Sequence, residues 1–213
     1  MVITKLMNKV KKKSIYLIGA GGHARSCIDV IECNNEYIIK GLLGYDSEVG
    51  KKVLNYEVVD VVDNYLKYNK NNIYFLLTIG LINNSQKRKN LFNKLSRIVN
   101  FATIISPKSY VSSYSKINTG TIVMHDVLIN ANVKIGKNCI INSKSLIEHD
   151  TIIDNHTHIS TYSVINGSVK IGENSFIGSK SVLENNLILP QNSFIPMGRK
   201  ITRNTKFITN YEK

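Results

Sequence analysis

The sequence is short of acids, of cysteines and of long apolar runs. Fifteen Asp and Glu face 28 Lys and Arg, for a formal net charge of +13. That excess fits a Lys- and Asn-rich solvated surface, or a preference for anionic small molecules such as nucleotides or coenzyme A. It does not read as a nucleic-acid footprint, because no basic run is interleaved with aromatics near the repeats described below. The cysteines, Cys27, Cys33 and Cys139, are odd in number and lack framework spacing, so they read as reduced thiols of a cytoplasmic protein. No apolar run is long enough to span a bilayer, and no signal-peptide core is present. No Cys/His/carboxylate spacing is typical of zinc either, so neither a metal site nor a metal cofactor is expected. The 213 residues leave room for one or two domains with a real core.

What the chain does have is a beat. From Ile105 to Ile195 an aliphatic residue falls at every sixth position, and four residues after most of them comes a small or β-branched one. A period of six is neither 2 nor 3.6, so neither a plain strand nor a helix explains it. It suits a solenoid whose coil has flat faces of six residues, with the aliphatic side chain pointing inward onto its equivalents in the next coils. This is the hexapeptide parallel β-helix. No hexapeptide carries an insertion, so a regular prism of roughly five coils is expected.

Ahead of the repeats lies a different pattern. Ser14 to Ile18 reads as a buried strand, Gly19-Ala20-Gly21-Gly22-His23-Ala24 as a glycine turn, and Arg25 to Glu32 as a helix. Strand, glycine turn and helix present free backbone N–H groups to an anion; a tight structural turn is the other reading. Tyr37 to Leu43 and Ile73 to Ile79 read as strands, Val58 to Tyr68 as a short helix, Ser85 to Leu95 as a basic amphipathic helix, and Ile98 to Ile104 as a last strand. A dinucleotide site wants an acid after the second strand. Gly44-Tyr45-Asp46 stands there, so only Asp46 is near. The unit is half the size of a full dinucleotide fold, which suits a mononucleotide better than NAD. The division expected is a basic tail at 1–13, a Rossmann-like nucleotide-sugar-binding domain at 14–104, the prism at 105–200 and a C-terminal tail at 201–213.

Within the repeats, Ile147-Glu148-His149-Asp150 breaks the bland pattern. His149 comes two places after an inward aliphatic, so it belongs on the outer surface near a corner, and an adjacent acid fixes the tautomer of an imidazole and raises its basicity. His156 and His158 follow nearby. A set of surface histidines is the alternative reading.

With these motifs the chain from about Lys12 onward resembles the NeuD/PglD/VioB-type sugar acyltransferases. Ile18-Gly19-Ala20-Gly21-Gly22-His23-Ala24 carries the likeness, as do the unbroken hexapeptides and the run Asn142 to Asp150 followed by His158-Ile159-Ser160-Thr161. The resemblance implies a homotrimer of left-handed β-helices with acetyl-CoA between neighbouring prisms and a nucleotide-linked amino sugar on the N-terminal domain. It implies His149 as general base and Asp150 as its support. Gly21, Gly22, His23 and Gly80 correspond to nucleotide-sugar contacts, and Asn142 sits near the acceptor. His158, Ser179 and Met197 fall at contacts to the coenzyme. The chain departs from the family at Gly44 and Tyr45, where acids are usual and Asp46 is the substitute. It departs again at Met197-Gly198-Arg199-Lys200, where G-x-P-A is common. The implied activity is acetyl-CoA-dependent N-acetylation of a nucleotide-linked 4-amino-4,6-dideoxy sugar in surface glycan (lipopolysaccharide or O-antigen) synthesis. O-acetylation of a sialic-acid-like sugar, a cofactor-free interaction solenoid and an NAD enzyme remain as alternatives.

Overall fold

The computed structural model describes residues 12–80 and 85–205. Most of the tail at 1–13 and the end of the one at 201–213 lie outside these residues. The chain opens with β1 (Lys13–Ile18), α1 (Gly22–Asn34) and β2 (Tyr37–Gly44). A hairpin of β3 (Lys52–Val53) and β4 (Tyr56–Val61) follows, then a 3₁₀ helix (Val62–Tyr68), β5 (Ile73–Leu77) and α2 (Ser85–Leu95). The sheet order is β3-β4-β2-β1-β5, parallel except for the β3–β4 pair. The chain moves outward from β1 through β2 to β4 and then returns to β5 on the other side of β1. Such a reversal opens a crevice at the carboxyl ends of β1 and β5.

Two local expectations are corrected. Val58 to Val61 is strand rather than helix, because Val58 and Val61 pair with β2, and only Val62 to Tyr68 coils. Ile98 to Ile104 is no continuous strand. Phe101 makes one bridge to Phe75, and Ile104 already bonds to the Thr121 carbonyl of the next coil.

From Ile104 the chain is a left-handed parallel β-helix. Two-residue strands pair with those eighteen residues on, as in Ile141 with Ile159, giving faces of six, six and five rungs with no slip in register. The second residue of each rung is the periodic aliphatic. Ile129, Ile135, Ile141, Ile147, Ile159 and Ile165 are fully buried and form the prism's core. The small residues are inward too. Their hydroxyls donate to the carbonyl fifteen residues later: Thr121 to Gly136 at 2.8 Å, Ser145 to Ser160 at 3.0 Å, Ser163 to Gly178 at 3.0 Å. These inward hydroxyls are thereby satisfied, as burial requires.

The corners have their own period. Every sixth residue from Gly120 to Gly198 has positive φ, between 54° and 62° for the twelve that are not glycine. Asn and Asp tolerate this left-handed conformation best among side-chain-bearing residues, and they hold seven of those twelve corners. The corner N–H donates back to the coil below, as Asp150 does to the Ala131 carbonyl at 3.1 Å.

The three faces differ in what they present outward. The docked face carries Ile104, Ile122 and Ile140, which pack with Ala24, Cys27, Ile28 and Ile31 of α1. The next, the apolar face, carries Tyr110, Leu128, Leu146, Val164 and Val182 in one ladder that ends on Lys200. The lysine face carries Lys116, Lys134, Ile152, Lys170 and Ile188.

Candidate functional site

A cavity of about 860 Å³ opens at the carboxyl ends of β1, β2 and β5. Gly21, Gly22, His23, Asp46 and Gly80, all expected to touch a substrate, line it together. Gly19 holds φ at +110°, and a methyl there would meet Ile79 at 2.7 Å, so the turn itself demands glycine. At Gly21 and Gly22 a methyl would meet nothing within 4 Å. Those two residues leave open space above the α1 N-terminus, which has no side-chain cap and no acid in its first turn. Free N–H groups facing open space are a ready anion site.

Sequence reasoning missed some of the lining. Glu48 folds back over Gly44, where a methyl would meet its Oε2 at 2.6 Å, and accepts the Tyr45 N–H at 2.8 Å. The acid absent from position 44 therefore arrives four residues later, on a 3₁₀ turn that no spacing rule marks. Lys87, whose ammonium meets the Tyr45 hydroxyl, and Lys94 also line the cavity. Below it, Arg88 is fully buried. Its Nη1 donates to the Leu77 and Ile79 carbonyls at 2.8 and 2.9 Å, fixing the end of β5. Its Nε and Nη2 have no partner among the described residues, and burial lowers its pKa to about 10. His23 is pushed down to about 4, first by burial and then by Arg88, so at neutral pH it offers a neutral ring.

His149 stands at the corner between the apolar and lysine faces, with its side chain 58% exposed. Its Nδ1 lies 2.7 Å from Asp150 Oδ2. The Asn132 amide, one coil below, donates to Asp150 Oδ1 at 2.6 Å. That bond, and then His149, hold the Asp150 carboxyl below its ordinary range. An ionised carboxylate only accepts, so Nδ1 carries the proton and Nε2 presents its lone pair. The imidazole lies against Gly167 in the coil above, where a methyl would stand 2.8 Å from Cε1 and Nε2. Gly167 is a second residue that sequence reasoning passed over.

The corner between the docked and apolar faces carries a groove of about 380 Å³, lined by Thr161, Tyr162, Ser179, Lys180, Met197 and Gly198. Ser179 and Met197 are thus together, with Asn142 half-buried on the same corner two coils below Ser179. His158 approaches that corner from the side, its Nε2 3.5 Å from the Asn142 amide nitrogen. It projects from the docked face, 5% exposed, edge-on to Phe176, with its pKa lowered to about 3 by burial first and then by His23 and Arg88.

One chain does not gather these parts. The N-terminal unit spans the docked face and both its corners, through Lys89 to Glu173 at 2.6 Å, Phe92 against His156, and Asp29 to His125 at 2.8 Å. The corner bearing His149 is the third. None of these three contacts reaches it.

The PglD N-terminal domain model matches residues 14–95, and the GMPPB C-terminal domain model matches residues 105–208. No curated protein matches the sequence significantly. Solved structures share the fold. A mutant perosamine N-acetyltransferase from Caulobacter crescentus, in complex with CoA and GDP-perosamine, is 22% identical with a TM-score of 0.79, over 88% of this chain and 90% of that one. The acetyltransferase domain of PglB from Neisseria gonorrhoeae, in complex with acetyl coenzyme A, is 20% identical with a TM-score of 0.82, over 90% and 91%. WeeI from Acinetobacter baumannii is 15% identical with a TM-score of 0.59, over 91% and 99%.

Proposed function

We propose, for a chain that belongs to the NeuD/PglD-type sugar acyltransferases, that it transfers an acetyl group from acetyl-CoA to an amine of a nucleotide-linked 4-amino-4,6-dideoxy sugar. The 14–104 unit takes the nucleotide sugar in its glycine-lined cavity, and the prism at 105–200 carries the transfer. The relatives bound to CoA, acetyl-CoA and GDP-perosamine support both ligand classes.

The observation that carries the reading is the apolar face. Its flanks are the groove corner on one side and the His149 corner on the other. Tyr110, Leu128 and Val182 on it are 61%, 40% and 38% exposed. Three such faces packed around a threefold axis bury this ladder. They also bring the groove corner of one protomer against the His149 corner of the next. A homotrimer therefore joins what a single chain keeps apart, and no metal takes part in the chemistry.

In that setting the sugar amine attacks the thioester carbon. A C–N bond forms, the C–S bond breaks, and the amine proton passes to His149 Nε2. Asp150 stabilises the imidazolium, which returns the proton to the departing thiolate. Base assistance of this kind contributes roughly 10²–10⁴-fold. His149→Ala is expected to lose about 10²-fold or more in turnover while binding acetyl-CoA normally by calorimetry. Turnover within a few-fold of wild type would sink the assignment. Thiol release with a 4-amino sugar nucleotide but not with a nonulosonate separates N-acetylation from the O-acetylating alternative. Synthesis of a surface glycan in the cytoplasm is the setting that this acceptor class fits.

A further inference from the structure

On the seam between α1 and the prism, three side chains of different chemistry converge. Asp29 and Cys33 are four residues apart on α1, hence on one helical face. His125 comes from the prism corner between the docked and apolar faces. A carboxylate oxygen, the Cys33 sulfur and an imidazole nitrogen all lie within 4.8 Å of one another. His125 is held from both sides. Its Nε2 is 2.8 Å from Asp29 Oδ2, and its Nδ1 is 2.6 Å from Ser106 Oγ. Ser106 is fully buried, and its Oγ also accepts the Lys108 N–H at 3.1 Å.

We infer that Asp29, Cys33 and His125 form a zinc-class metal site that clamps α1 to the first coils of the prism. Thiolate, imidazole and carboxylate together are the donor set that suits zinc, with a fourth, water-filled position. Bonds of about 2.0–2.3 Å place tetrahedral ligands roughly 3.5 Å apart. Asp29, with its side chain 64% exposed, is free to turn and close the remaining distance. Ser106 is the outer partner that such a site needs. When Nε2 takes the metal, Nδ1 carries the proton and donates it to Ser106 Oγ, fixing ring and tautomer. A plain His125–Asp29 pair leaves the Cys33 thiol within reach without a role. Sequence spacing hid the cluster, because His125 lies 92 residues beyond Cys33 and only the docking of α1 on the prism unites them. The cluster stands on the same corner as the groove, with His125 two coils below Thr161, but its metal is structural and takes no step in the proposed acetyl transfer.

The test uses the full chain stripped with a chelator and then titrated with Co²⁺ and with Zn²⁺. The expected result is one equivalent bound per chain, a thiolate-to-cobalt charge-transfer band, and a melting temperature raised by Zn²⁺. Cys33→Ser, a near-isosteric change, abolishes the band and the thermal shift while circular dichroism stays unchanged. Ser106→Ala weakens Co²⁺ binding by roughly 10-fold to 100-fold, the usual cost of losing an outer partner. Fully buried Cys27 and Cys139 serve as internal controls. A wild-type protein without the band overturns the site, as does a Cys33→Ser variant that keeps it. Loss of acetyl transfer in His149→Ala leaves this result untouched, so the two claims fail separately.

Discussion

Gly167 is small because the imidazole of His149 occupies the space its methyl would need. Gly167→Ala should displace His149, the proposed base, without touching any ligand. Turnover is expected to fall about tenfold or more, since even small misplacement of a positioned group is costly, with little change in KM for acetyl-CoA. A stability loss without that split between turnover and KM would mean that Gly167 only packs. Buried His158 makes a second residue-scale claim. Its folded pKa of about 3 lies below the unfolded value near 6.5. Between the two, the unfolded chain binds a proton that the folded chain refuses, so stability is full above pH 6.5 and drains as pH falls. From pH 6.5 to 5 this one ring should cost about 2 kcal/mol. Thermal melts across that range should steepen accordingly, and His158→Phe, beside Phe176, should flatten the slope. An equal slope in the variant removes the claim. The motif letters alone marked His149 and Asp150. They could not mark Gly167 or Glu48, whose roles depend on which coil or turn lies next to them.

At the scale of elements, the corners explain more than the rungs. The aliphatic beat was plain in the sequence because the inward position tolerates only apolar bulk. The left-handed corners were less plain, because five non-glycine corners carry residues other than Asn or Asp. Tyr162 is the extreme case, a bulky side chain at φ 61° that walls the groove with Ser179 and Met197. Strain of that sort, of order 1–3 kcal/mol, persists where function keeps it. Tyr162→Asn is expected to hold or raise the melting temperature while weakening acetyl-CoA binding several-fold by calorimetry. Unchanged binding would leave Tyr162 as a tolerated accident. The β4 segment shows the converse error. Its valines read as helix in a short window, but β2 offered them a parallel partner, and pairing won over local pattern.

At the scale of the molecule, the three faces of the prism differ: one docks against α1, one presents a mostly apolar ladder and one is studded with lysines. The proposed trimer predicts an active site shared between chains. Trimers co-refolded from equal amounts of His149→Ala and cavity-filling Gly22→Phe should regain about a quarter of wild-type sites, because each site draws on two neighbours of a closed ring. Each variant alone should be inactive, and no recovery on mixing would place the whole site within one chain. The sequence by itself determined the solenoid, the half-sized α/β unit, the glycine turn and the His149–Asp150 pair. Each of these rests on a short-range pattern, a period of six or a run of neighbours, that local sterics and burial impose. Only the tertiary structure decided that His158 is buried, that Glu48 covers Gly44, that Cys33 comes within 4.8 Å of His125, and that His149 stands on the corner other than the two the N-terminal unit spans. Those are contacts between segments tens of residues apart, and they follow from which faces find apolar partners.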